Sequence, residues 1–237
     1  MKILIIKKRT LFAIIAIILV AVVVLSVSLT YASKQTAKPI GAKVIVLDAG
    51  HGGIDAGVIG KSGLKESDFN LKMTFLLRDL LDKAGFKVVL TRENEDGLYG
   101  KVTKNRKRAD MAARKKIIQE ANPGIIVSIH ANKYPSSERR GAQVFYDEYN
   151  KAGMRLAKSV QANVNLLNQE YIKRDFSALS GDYFLLKCSH APSIIMECGF
   201  LSNLEDEKLL SDDGYCNKLA FCIYGGIVAF LETEETA

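Results

Sequence analysis

Short apolar runs alternate with amphipathic helical stretches along most of this chain, and few folds satisfy that order. Residues 43–47, around "VIVL", read as a first strand. "DFNLKMTFLLRDLLDKAG" follows, with Phe69, Met73, Leu76, Leu77 and Leu80 on one helical face and Gly85 as its stop. "KVVL" (87–90) predicts a second strand, 105–121 a helix ending before Asn122-Pro123-Gly124, and "IIVSIH" (125–130) a third strand. "AQVFY" (142–146), "DYFLL" and "SIIME" bring the count to about six strands, with a helix over roughly 151–168 among them. A last helix places Tyr215, Leu219, Cys222, Ile223, Gly226, Ile227 and Phe230 on one stripe. The expected fold is α/β: a central, largely parallel mixed sheet of about six strands flanked by helices. Such sheets bind ligands beyond the carboxyl ends of their strands.

The first 42 residues read differently. Residues 1–10 carry Lys2, Lys7, Lys8 and Arg9, and residues 11–30 form an uncharged stretch, "LFAIIAIILVAVVVLSVSLT". A bilayer core takes about 20 apolar helical residues, more than a signal-peptide core needs. We therefore expect a transmembrane anchor with its N-terminus inside, although Thr30-Tyr31-Ala32 resembles a weak cleavage site. Residues 31–42 read as a tether and 43–233 as one globular domain, held outside the membrane.

The formal charge of +7 is mostly the anchor's: its four cations removed, 29 basic residues face 26 acidic ones. One run stands apart, "KVTKNRKRADMAARKK" (101–116), with eight basic residues and one acid. Its expected role is the solvated face of a helix, with attraction to an anionic polymer or membrane surface as the functional reading. The run has no interleaved aromatic residues to stack on bases, so no nucleic-acid partner is expected. Cys188, Cys198, Cys216 and Cys222 show no metal-finger spacing. They are expected as small core residues without a disulfide.

Three residues able to hold a metal or move a proton finish separate strands: His51 beyond the first, His130 at the end of "IIVSIH", and Glu197 at the end of "SIIME". Glu66, in "GLKESDFN", opens the helix after the His51 loop. Two histidines and a carboxylate make a common catalytic zinc shell, and a second carboxylate then serves as acid and base. The ligand spacings of 15 and 64 residues are not diagnostic. A turn histidine, a helix-dipole glutamate and a satisfied core histidine stay open on residue type alone. "GHGGIDAG" lacks the dinucleotide-binding pattern. His190, in "KCSHAPS", reads as a loop residue or substrate contact, and no local feature marks a thiol nucleophile.

At these positions the sequence resembles the zinc-dependent N-acetylmuramoyl-L-alanine amidases of bacterial cell walls. "VIVLDAGHGGIDAG", "LKESDFNL", "VSIHAN" and "IIMECGFLSN" are similar to that family's four site motifs, in order, across residues 43–231. The small plan, with "ERRGAQVFY" and "RDFSALSGDYFLLK", is most similar to the germination-specific amidases of spore-forming bacteria, which help form muramic-δ-lactam in spore cortex. The resemblance implies zinc (Zn2+) held by His51, Glu66 and His130, with Glu197 as acid and base. It implies peptidoglycan as substrate, cleaved between N-acetylmuramic acid and L-alanine. A zinc peptidase acting within the stem peptide and a non-catalytic peptidoglycan-binding module are the alternatives. Ala49 stands where the family often has proline, and no long insertion carries a blocking helix. Control by a regulatory or lipoprotein partner, or through gene expression, is therefore expected over self-blocking.

Overall fold

The computed structural model describes residues 43–101 and 104–236; the expected anchor and tether lie outside the described residues. In chain order the elements are β1 (Val44–Ala49), α1 (Glu66–Lys83), β2 (Lys87–Leu90), α2 (Arg106–Ala121), β3 (Ile125–Asn132), β4 (Gln143–Tyr146), α3 (Lys151–Tyr171), β5 (Leu179–Ser180), a 3₁₀ turn (Leu185–Lys187), β6 (Ser193–Phe200), α4 (Leu204–Ser211) and α5 (Asp213–Thr236). They build one six-stranded sheet in the order β2-β1-β3-β6-β4-β5. The β1/β2, β1/β3, β3/β6 and β4/β5 pairs are parallel, and β4 runs antiparallel to β6.

This order explains the strand composition. β1 and β6 are interior strands covered on both faces, so they read as continuous apolar runs rather than alternating ones. The chain steps from β1 to β2 on one side and returns to β3 on the other, and right-handed crossovers therefore place α1 and α2 on opposite faces. α1 and α3 pack on the sheet and on α5. On the other face Val46, Ile126 and Ile118 of α2 close around Leu185 and Cys188. Paired residues in register share a face, so Asp48, Ser128, His130, Ile195 and Glu197 all lie on the α2 face. The two sides of β1 part between β2 and β3, and the carboxyl ends there form the crevice at a topological switch point.

Two expectations need correction. "DYFLL" is not a strand: Leu185 and Leu186 are buried in the 3₁₀ turn, and the strand lies upstream as the two-residue edge β5. A short apolar run reports burial, and a turn buries two leucines as well as a strand does. The helix α4 was not foreseen. Its start is marked by Asn203, whose side chain accepts from the Glu205 and Asp206 N–H groups. β3 and β6 also run on to Asn132 and Phe200, so His130 and Glu197 stand before the strand ends.

Among the described residues α5 is the one helix long and apolar enough to cross a bilayer. Its stripe of Tyr215, Leu219, Ile223, Ile227 and Phe230 is buried in the core, as expected of a packed helix. All four cysteines are free, and Cys188, Cys198 and Cys216 are buried.

Candidate metal centre

His51, Glu66 and His130 converge although they come from a loop, a helix start and a strand. Their nearest donor atoms lie within 4.8 Å of one another. Glu66 Oε1 stands 3.2 Å from His51 Nε2 and 2.9 Å from His130 Nδ1. The two imidazoles meet edge to face, with centroids 5.2 Å apart. Glu66 is the first residue of α1, and its other oxygen accepts the Val58 N–H at 2.9 Å, which fixes the carboxylate in place. Burial opposes ionisation of Glu66, but hydrogen bonds from His130 and His51, with their charges, hold it well below the usual carboxylate range. Burial lowers the His51 imidazole, yet Glu66 and then Asp55 outweigh it and raise it to about 9.

The loop that carries His51 is shaped for these side chains. A Cβ on Gly50 would overlap the His130 ring; one on Gly57, at φ 65°, would fall 2.5 Å from Glu66 Oε2 and 2.8 Å from His51 Cδ2. Gly50 and Gly57 thus clear space for the histidines and the glutamate themselves. His51 has φ 62°, a left-handed conformation uncommon outside glycine. Buried arginines hold that strained turn. Arg114 of α2 donates to the Ala49 carbonyl (2.7 Å) and the His51 carbonyl (2.6 Å), and Arg92 donates to the Ala49 (3.0 Å) and Gly50 (3.1 Å) carbonyls. Asp48 balances Arg114 at 2.6 Å, and both are fully buried. Asp55 stands 2.9 Å from His51 Nδ1, orienting the ring so that Nε2 faces Glu66.

Sequence reasoning missed Asp48, Asp55, Arg92 and Arg114 as parts of the centre. Asp55 had a usable signal, a carboxylate four residues after a histidine in a glycine loop. Arg114 had none, because it sits within a run that reads as solvated; its complete burial corrects that reading at one position.

Glu197 pairs in register with His130 on the neighbouring strand, and on the same face. It is 8% exposed, and its Oε2 is buried with no hydrogen-bond partner, an orphaned acceptor beside the donor cluster. Burial pushes its carboxyl up to about 7; the His130 and His51 charges pull the other way and Glu66 adds to the rise. His190 lies in an exposed loop at the N-terminal end of β6, the opposite end from Glu197, and is not part of the cluster. Burial raises the Cys198 thiol well above its ordinary value, which removes it as a nucleophile. A cleft of about 770 Å³ opens over His51 and His130, walled by Ile54, Tyr99, Tyr183 and Phe184.

The donor set fits a zinc ion: two imidazoles and one carboxylate within reach of a single centre, a fixed second carboxylate behind His51, and an unsatisfied acid to one side. The family described as Amidase_3, N-acetylmuramoyl-L-alanine amidase, matches residues 45–229. The chain belongs to this amidase family. The germination-specific N-acetylmuramoyl-L-alanine amidase of Bacillus subtilis (strain 168) is 35% identical over 205 residues, covering 85% of this chain and 85% of that protein. Among solved amidases, CwlD of Clostridioides difficile, in complex with the GerS lipoprotein, superposes with a TM-score of 0.75 at 38% identity, covering 81% of this chain and 99% of that one. AmiC2 of Nostoc punctiforme superposes with a TM-score of 0.67 at 28% identity, covering 81% and 98%. The family membership and the mixed α/β sheet expected from the sequence are both borne out.

Proposed function

We propose that this amidase hydrolyses the bond between the lactyl carboxyl of N-acetylmuramic acid and L-alanine in peptidoglycan, with zinc held by His51, Glu66 and His130. The observation that carries the reading is the orphaned Glu197 Oε2 beside three converging donors, inside a chain of this family. Zinc, when bound, supplies Lewis acidity toward an amide carbonyl and acidifies a water. The chain's own residues do the rest. Glu197 takes the proton of the attacking water on its free oxygen and returns it to the departing alanine nitrogen. Asp55 and the buried arginines keep His51 aimed at the centre, and the cleft walls hold the amide over His51 and His130.

The spore-cortex role rests on likeness to a germination-specific relative, and a lipoprotein partner on likeness to an amidase solved with one. Peptidoglycan lies outside the membrane, which agrees with an extracytoplasmic domain tethered by residues 11–30. Digestion of purified peptidoglycan, read by mass spectrometry, tests the activity. New L-alanine amino termini paired with free muramic lactyl groups are expected. Cuts inside the stem peptide would make it a zinc peptidase, and no products would leave a binding module.

His51→Ala and His130→Ala are each expected to lower bound zinc at least ten-fold at fixed free metal, measured as the metal-to-protein ratio after dialysis. An unchanged ratio in either variant removes that histidine from the shell.

A further inference from the structure

The basic run on α2 has a second use besides Arg114. Lys107, Met111 and Lys115 recur at a spacing of four and so share one face of the helix. That face lines a hollow of about 500 Å³, with Phe184 opposite and Arg108 and Lys116 beside it. Lys107, Met111 and Phe184 also line the cleft over His51 and His130, so the two spaces form one groove leading away from the metal centre.

The groove is cationic, and its nearest acids are engaged elsewhere. Asp110 binds Arg114 Nε at 2.6 Å, Asp55 faces His51, and Asp182 pairs with Lys187 at 2.6 Å. The outer hollow has no acidic residue in its wall. Among the described residues Lys107, Arg108 and Lys115 make no ion pair, unlike Lys116, which stands 3.8 Å from Glu120. Methionine and phenylalanine give this groove an apolar floor between its charges. A neutral stretch of sugar has no charge to match these cations, whereas an acidic peptide does.

We propose that the α2 groove receives the peptide beyond the scissile alanine and that Lys107 and Lys115 read free carboxylates on it, so that an acidic stem is preferred to an amidated one. This rests on the amidase reading above and adds the direction of the substrate: peptide along α2, glycan away from it. Rim charges of this kind act through encounter and ground-state binding, so they move KM more than kcat and fade with salt.

The test uses the full-length, zinc-loaded protein and two synthetic muramoyl peptides, identical except that one carries free side carboxylates and the other carboxamides. The native enzyme is expected to show a KM about 3–10-fold lower for the acid, a preference lost at high salt. Lys107→Gln/Lys115→Gln should erase that preference by raising KM for the acid alone. A charge-matched Lys87→Gln/Lys158→Gln variant, altered at exposed positions away from the groove, should keep it. Equal KM values in the native enzyme, a preference that survives the groove variant, or one lost equally in the control would each overturn the proposal. Failure to cleave either peptide would instead sink the amidase reading.

Discussion

Glu197→Gln is expected to keep its zinc and lose turnover by about 10²–10⁴-fold. The substitution preserves size at a site that is 8% exposed, so the sheet and the three converging donors stay as they are. What it removes is the acceptor. Oε2 has no hydrogen-bond partner in the folded chain, and an amide there can neither take a proton from water nor return one to a leaving amine. Two readings suffice: zinc per chain by mass spectrometry and the rate of alanine amino-terminus release. Turnover within ten-fold of the native enzyme would remove Glu197 from proton transfer. Loss of zinc together with activity would make it a ligand instead.

The second large effect lies beneath the site. Arg114→Met is expected to destabilise the domain by about 3–5 kcal/mol, because it leaves Asp48 charged, fully buried and without its counter-ion. The Ala49 and His51 carbonyls lose a donor in the same step. Pairing Arg114→Met with Asp48→Val should recover part of that loss, since a buried ion pair replaced on both sides by apolar groups costs far less than one broken on a single side. Burial alone would raise the Asp48 carboxyl; Arg114, then the Ser128 and Thr91 hydroxyls, outweigh it and hold it below the usual range. A depressed folded pKa contributes stability that is present above the unfolded value of about 4 and is lost as pH falls below it. The gap between the native chain and Arg114→Met should therefore be full at neutral pH and narrow in acid. Urea unfolding at pH 7 and at pH 3 reads both. A neutral-pH difference under about 1 kcal/mol would show that the pair does not hold the turn.

The same pair explains why the site was only half legible in the sequence. His51, Glu66, His130 and Glu197 could be read because each has a chemistry-bearing side chain at the edge of a regular pattern: three near strand ends and one at a helix start. The strand-helix alternation that placed them is local, since burial on both faces or on one stripe is written in the period of apolar residues. "DYFLL" shows where that signal runs out. Its leucines are buried as the pattern requires, but in a turn, because burial does not specify backbone conformation.

What only the folded chain decided is the meaning of groups whose partners are far away in sequence. Arg114 and Asp48 are 66 residues apart, and neither period nor composition marks a cation in a solvated run as buried. Gly50 and Gly57 leave room for His130, Glu66 and His51, a fact set by side chains that arrive from other elements. Local pattern was enough for every strand but β5, every helix but α4, and the chemistry-bearing residues near the strand ends. Tertiary structure alone decided which charges are satisfied, which oxygen is left free, and which face of α2 looks outward, because each of those depends on pairings across the sheet.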